Sequence, residues 1–321
     1  MWISPYKYYK YVLSLGHLYS DINQSILSAV LPFLIATYHY DYTTATMLVT
    51  VSNVFGAFVQ PFIGMLSDKK NKLLYMTLGV LLASGGMAVT GFISNFFGLC
   101  IVVIISGIGV AMFHPQAAKL VNSVSSKNAK GKGMSIFSFG GKVGFTLGPV
   151  YTAFLMNLFG MKGTILFLIP GIVFGIVCSF FNKDFENLDV LEVEKKEKVK
   201  SEQKDDWSGF IKLCGVVFSR SILSNGISTF LAFYFIQQFS KSNSFASMLL
   251  SVFYGIGSIT LLGGGIADCF GHRKMVRLSF CIFLPAIFIF TNTSHFVIAL
   301  IMLIFMTCGE SLSYSPMVVL G

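Results

Sequence analysis

Apolar residues run along this chain in long stretches separated by short polar clusters. Ten stretches stand out, near 11–38, 45–67, 72–93, 95–115, 133–159, 162–181, 209–239, 244–267, 274–291 and 294–317. Each approaches the roughly 20 residues that a helix needs to cross about 30 Å of hydrocarbon. The pattern predicts an all-α membrane protein with about ten transmembrane helices. One polar break is much longer than the rest: residues 182–208 alternate acidic and basic side chains and are too polar to cross a bilayer. They read as a solvated cytoplasmic linker between an N-terminal half, 1–181, with six predicted helices, and a C-terminal half, 209–321, with four.

The two halves share landmarks. GMLSDKKNK at 64–72 and GGIADCFGHRK at 264–274 both place a glycine four residues before an aspartate and a basic cluster after it. The pairs Gly64/Asp68 and Gly264/Asp268 are 200 positions apart, and Gly109 matches Gly309 at the same offset. The chain is therefore expected to be two copies of a six-helix unit, the second incomplete. Glycine lets helices approach closely, an aspartate at a helix end interacts with the positive N-terminus of a neighbour, and Lys69 and Arg273 hold their loops at the anionic inner surface.

Composition sharpens the picture. Hydrophobic residues make up 54% of the chain and charged residues only 12%, against about a quarter in soluble domains. The mean hydropathy is +0.73. A formal charge of +9 would point to nucleic acid in a soluble protein, but here position matters more than the sum. Nineteen Lys and Arg fall in one alternating set of loops and two, Lys162 and Lys241, in the other. The positive-inside rule then puts both termini in the cytoplasm of a plasma-membrane protein, with no role for nucleic acid. The N-terminus lacks a short apolar core with a cleavage site, and Asp21 interrupts its apolar run, so it reads as a retained first span. Six cysteines, one per region and without a CxxC pair, imply no metal, and nothing implies a cofactor.

The two Gly-xxx-Asp stretches resemble the loop motif of the major facilitator superfamily, with Asn71 in the first copy where the loop glycine is usual and Gly271 kept in the second. GGKVGFTLGP at 140–149 resembles the glycine-rich fifth-span motif linked to antiporters there. Gly140, Gly144 and Gly148, followed by Pro149, recur every fourth residue and form a smooth face for helix packing. SLGHLYSDINQSILSAVLPFL (14–34), GIGVAMFHPQAAKL (107–120) and SRSILSNGISTFLAFYFIQQ (219–238) together resemble the fosmidomycin-resistance branch, efflux proteins for an anionic phosphonate. The branch usually has glutamate where this chain has Gln116, so no proton-carrying role is assigned to that position. The resemblance implies two halves that alternate access to a central site, and two further spans after the tenth. The 321-residue chain alone is accordingly expected to transport poorly, as its cytoplasmic gate lacks one wall.

Ionisable groups within the spans are few: His17, Asp21, His114, Lys142, Arg220 and Glu310. Each costs about 2.5–3.5 kcal/mol at mid-membrane on insertion scales and so needs a partner, a cavity or a purpose. Ser14, His17, Asp21, Gln24 and Ser28 line one face of the first span, expected either to face an aqueous interior or to hydrogen-bond between helices. Asp21 is the expected proton-exchanging group, with His17 one turn away modulating it or sharing the role. Arg220 lies one position from the two-fold equivalent of Asp21 and suits a phosphonate, phosphate or carboxylate. The alternatives for Arg220 are an ion pair or snorkelling. Lys142 is either a second cationic contact, beside Gln24, or a partner of Asp21. His114 is expected to be a structural, hydrogen-bonded residue, and Glu310 has no assigned role.

These residues favour a monomeric secondary transporter, exporting a small anionic compound against protons. Uptake of an anionic metabolite by the same machinery, or an inactive fragment, is the alternative. An intramembrane enzyme is disfavoured: the four-residue step from His17 to Asp21 departs from the five-residue step of membrane acyltransferases, and no GxSxG nucleophile accompanies it.

Overall fold

The computed structural model of the chain describes residues 8–67, 72–125, 130–181, 207–260 and 271–312. Ten α-helices carry almost all of these residues: α1 Tyr9–Tyr38, α2 Tyr42–Ser67, α3 Lys72–Val89, α4 Phe96–Val124, α5 Lys130–Phe159, α6 Leu168–Phe180, α7 Trp207–Phe239, α8 Asn243–Thr260, α9 His272–Asn292 and α10 Phe296–Leu312. No strand occurs among the described residues. The chain divides into two compact units, 1–200 and 201–321.

Seven helical stretches among the described residues are long and apolar enough to cross a membrane, and α10 is a shorter apolar helix. The difference from ten has two physical sources. The stretches predicted at 133–159 and 162–181 form one 45-residue helical run, Ile136–Phe180, because the chain passes through a 3-10 segment, Gly160–Phe167, instead of a loop. The stretches predicted at 244–267 and 294–317 both run on past the described parts of α8 and α10.

Local chemistry sets the helix ends. Asn95 caps α4, its Oδ1 accepting from Gly98 N at 2.7 Å. Asp41 precedes α2, and its Oδ1 accepts from Thr44 N at 2.6 Å. Hydrogen bonds from the Thr44 hydroxyl and backbone N–H hold the Asp41 carboxyl below its ordinary range. A depressed folded value means that this cap is fully present at neutral pH and is lost only as pH falls through it. α1 ends at His39 in the left-handed conformation (φ 58°), and α5 at Gly160 (φ 56°).

The first unit is organised around α1, which packs against α4 and α5. One apolar cluster of its core is drawn from five helices and includes Leu13, Met76, Phe113, Phe137 and Phe174. The exterior is the reverse of a soluble protein's: Phe58, Phe97 and Phe180 are all at least 68% exposed, as suits side chains in contact with lipid. Polar groups inside are matched to one another. Asn23 donates to Tyr19 O at 2.8 Å and to Ser84 Oγ at 2.9 Å, tying α1 to α3. Buried Thr164 donates to Ala88 O at 3.0 Å and accepts from Gly91 N at 3.1 Å, tying the 3-10 segment to the end of α3.

In the second unit, α9 packs against α10, and α8 joins α7 to α10. Tyr234 donates to Phe290 O at 2.6 Å, within an aromatic group containing Phe235, Phe239 and Phe296. At the turn between α7 and α8, Lys241 Nζ lies 4.2 Å above the Phe296 ring and 5.8 Å from that of Phe245.

Replacing Thr164 with Val keeps its volume and leaves the buried Gly91 N–H without an acceptor. The expected loss is about 1–3 kcal/mol, seen as a lower Tm of the detergent-solubilised protein, whereas Thr50→Val on an exposed position leaves Tm unchanged.

Candidate functional site

The polar stripe of α1 divides in the structure. Ser14, Asp21 and Ser28 are buried, while Gln24 is exposed. Ser14 donates to Ile136 O on α5 at 2.7 Å. Most of the stripe is thus taken up by interhelical contacts, and Gln24 stands apart from them, because α5 and α4 cover only part of the α1 surface.

The cover is close because α5 has no side chain where α1 needs room. A Cβ on Gly140 would run into Ser14 O, one on Gly144 into Leu18 O, and one on Gly148 into Ser25 Oγ. Main chain therefore lies on main chain along the seam, with Pro149 also buried in α5. Gly141 borders the charged pair itself: a Cβ there would sit 2.5 Å from Asp21 Oδ2 and 2.7 Å from His17 Nε2.

Asp21 is held between two histidines. His17 Nε2 is 3.2 Å from Oδ2, and His114 Nε2 is 3.1 Å from Oδ1. His17 stacks on Phe137 with ring centroids 4.0 Å apart, and meets His114 edge to face at 5.0 Å. The three side chains bring their donor and acceptor atoms within 4.8 Å of one another. His114 thus belongs to the charged cluster as well as being hydrogen-bonded to its own helix, as the expectation of a hydrogen-bonded residue had it, with Asp21 as the partner the sequence did not name. Its place was hidden in sequence because 93 positions separate it from Asp21, and only the crossing of α1 with α4 brings them together. The remaining signal was that it is an ionisable side chain within a predicted span.

Arg220 in α7 contacts Glu310 in α10 through Nη2 and Oε1, and Ser311 Oγ lies 3.2 Å from Glu310 Oε2. Both charged side chains are largely buried, at 13% and 7% exposure. They line a small, partly open cleft with Leu223, Ser279, Phe280, Phe283 and Gly309. The ion-pair alternative for Arg220 is therefore what the structure contains, and Glu310, left without a role by the sequence, is its partner. Lys142 is half-buried and follows Gly141 on α5.

Of the repeated loop motifs, Gly64 lies in the last turn of α2, where Lys119 Nζ donates to its carbonyl at 3.3 Å and Gln116 Nε2 to that of Ile63 at 3.3 Å. Both donors come from α4 and satisfy carbonyls at a helix end. Arg273 is exposed at the start of α9. Asp68, Lys69, Gly264 and Asp268 lie outside the described residues.

Residues 13–321 match the family described as Major Facilitator Superfamily. Among curated proteins, the fosmidomycin resistance protein of Escherichia coli (strain K12) is 23% identical over 276 residues, covering 82% of this chain and 66% of the relative. An uncharacterized MFS-type transporter of Bacillus subtilis (strain 168) is 24% identical over 272 residues, covering 83% and 66%. The chain thus spans just under two thirds of the length of these relatives. Among solved structures, a bacterial homolog of the human lysosomal transporter Spinster, inward-facing and occupied, superposes with a TM-score of 0.77 at 17% identity. That match covers 98% of this chain and 74% of the other.

Two outcomes are expected from this geometry. Gly144→Ala should lower stability by about 1–3 kcal/mol through the forced shift of α1, while Gly175→Ala, whose Cβ would meet nothing closer than 3.8 Å, should be neutral or slightly stabilising. Glu310→Ala should cost about 3–5 kcal/mol by removing the carboxylate from a buried guanidinium. The double variant Arg220→Met/Glu310→Leu should recover most of that loss, both read from denaturation of the solubilised protein.

Proposed function

Because the chain belongs to the major facilitator superfamily, and so is a multi-pass membrane transporter of small molecules rather than an enzyme, we propose that it exports a small anionic compound in exchange for protons. The observation that carries this reading is the buried carboxylate of Asp21 clasped by His17 and His114 inside an apolar bundle. A charge at that depth is costly, and Asp and His are the side chains that can shed it by gaining or losing a proton. Proton movement at Asp21 changes how strongly α1 is held to α4, which is the kind of differential contact an alternating-access cycle requires.

The anionic character of the substrate is supported by Arg220, with Lys142 as a second cationic contact and exposed Gln24 as a polar one. Arg220 is held by Glu310, and a phosphonate or carboxylate group offers its fork the same oxygen geometry as that glutamate. Substrate arrival would then be an exchange of one carboxylate-like partner for another. Likeness to the fosmidomycin resistance protein makes fosmidomycin the first compound to test. In this reading the protein is a monomer of the plasma membrane with both termini cytoplasmic, ten spans in the chain given, and residues 182–208 joining the two halves. The Gly64–Asp68–Lys69 and Gly264–Asp268–Arg273 loops gate its inner side, and the Gly140, Gly144, Gly148, Pro149 seam holds α1 on α5 throughout the cycle.

Fosmidomycin tolerance of sensitive cells expressing the chain, alone and extended to the length of its relatives, tests the proposal. Tolerance is expected to rise several-fold and to vanish with Asp21→Asn at equal membrane levels. Unchanged tolerance in every version, with expression verified, removes fosmidomycin as the substrate. Tolerance that survives Asp21→Asn removes the proton role of Asp21.

A further inference from the structure

Both histidines of the cluster are fixed from behind by a group that only accepts hydrogen bonds. His17 Nδ1 lies 2.8 Å from the carbonyl oxygen of Phe137 on α5, and His114 Nδ1 lies 2.9 Å from Val110 O one turn back on α4. A carbonyl has no proton to give, so each Nδ1 carries the N–H. A neutral imidazole in that tautomer presents a bare Nε2. Those two Nε2 atoms are the ones that face Asp21, at 3.2 and 3.1 Å. An ionised carboxylate is also acceptor-only. With no further proton, the cluster would press lone pairs together on both sides of a side chain that is only 3% exposed.

Each contact becomes attractive when one proton occupies it, and there are two contacts. We propose that His114 is a full member of the proton-binding site and that the cluster closes on two protons, one in each His–Asp gap. The net charge then passes from one negative, with both gaps empty, through zero to one positive with both filled. The use of those protons in transport rests on the proton-coupled reading above; their number rests on the tautomers alone. Because the two gaps share one carboxylate, the protons belong to the cluster as a unit.

The two gaps differ mechanically. His17 and Asp21 are one turn apart on α1, and His17 is further held by its stacking on Phe137, so a proton there joins parts already joined. The His114 gap spans two helices. Asp21 Oδ1 faces it without a hydrogen bond of regular geometry, and His114 is the more exposed histidine, 28% against 12%. The second proton is therefore the labile one, and its loss sets Nε2 against Oδ1 across the α1–α4 contact. The site is a clasp between α1 and α4 that holds while doubly loaded. Among the charged groups on helices packed against α1, Lys119 is engaged with Gly64 O and Lys142 follows Gly141 on α5.

Nitrogen-15 NMR of the full chain in lipid nanodiscs, labelled at its five histidines, reads the tautomers directly. Signals are assigned with His17→Gln and His114→Gln, and the wild-type spectrum alone decides the tautomer should a variant fail to fold. Over a pH series, both cluster histidines are expected to show only the imidazolium and the neutral Nδ1–H states, with Asp21→Asn removing the imidazolium state from both. A neutral Nε2–H tautomer at either residue, or uptake of a single proton by the cluster, overturns the proposal. The two readings fail separately. Uptake of two protons by a protein whose transport ignores a pH gradient sustains the clasp and sinks proton coupling. Gradient-driven transport that Asp21→Asn abolishes, with only one proton bound by the cluster, does the reverse.

Discussion

Main-chain contact between α1 and α5 is the constraint on which the first unit depends. Lipid tails are as apolar as the side chains they touch, so little hydrophobic force drives one membrane helix onto another. What remains is close packing, and that needs a surface free of side chains. Gly140, Gly144 and Gly148 supply it, and Ser14, Leu18 and Ser25 of α1 meet it with their own backbone or short side chains. With that distance fixed, His17 reaches the carbonyl of Phe137 and stacks on its ring, and Asp21 is left facing Gly141 with no atoms intervening. The polar cluster is thus a product of the seam.

Much of this was legible in the sequence, for identifiable reasons. Apolar runs near 20 residues announce helices, and a glycine every fourth residue announces a close helix contact, because both are statements about one helix at a time. The same is true of the stripe on α1, whose residues were read as sharing a face. Which part of that face would be covered was not readable. Gln24 and Asp21 are three residues apart, yet one is exposed and the other buried, a difference set by where α4 and α5 lie. The partners of Asp21 and Arg220 were obscured in the same way. His114 and Glu310 sit 93 and 90 positions from the residues they contact, in helices whose own patterns give no sign of the meeting. The break between α5 and α6 was missed in the opposite sense. Polar residues around Lys162 suggested a loop, but the segment keeps helical hydrogen bonding, and Tyr151 and Thr164 tie it down.

The two units handle buried charge differently. In the second unit Arg220 and Glu310 neutralise each other, and no ordinary change of pH alters an arginine's charge. In the first, every charged member of the cluster can change its state. On the proposed reading, one unit holds a permanent cation whose partner is exchanged for substrate, and the other holds a site whose charge itself changes sign. A transporter that trades an anion for protons needs one of each.

Lys241 has a consequence for biogenesis. On the proposed topology the α7–α8 turn lies on the far side of the membrane, so its lysine is carried across as the hairpin inserts. The rings of Phe296 and Phe245 then receive the ammonium group with their electron-rich faces. Phe296 belongs to α10, which emerges from the ribosome after α7 and α8. Until α10 arrives the cation has only the more distant ring of Phe245, on its own hairpin, and the closer contact with Phe296 completes the hairpin's seating afterwards.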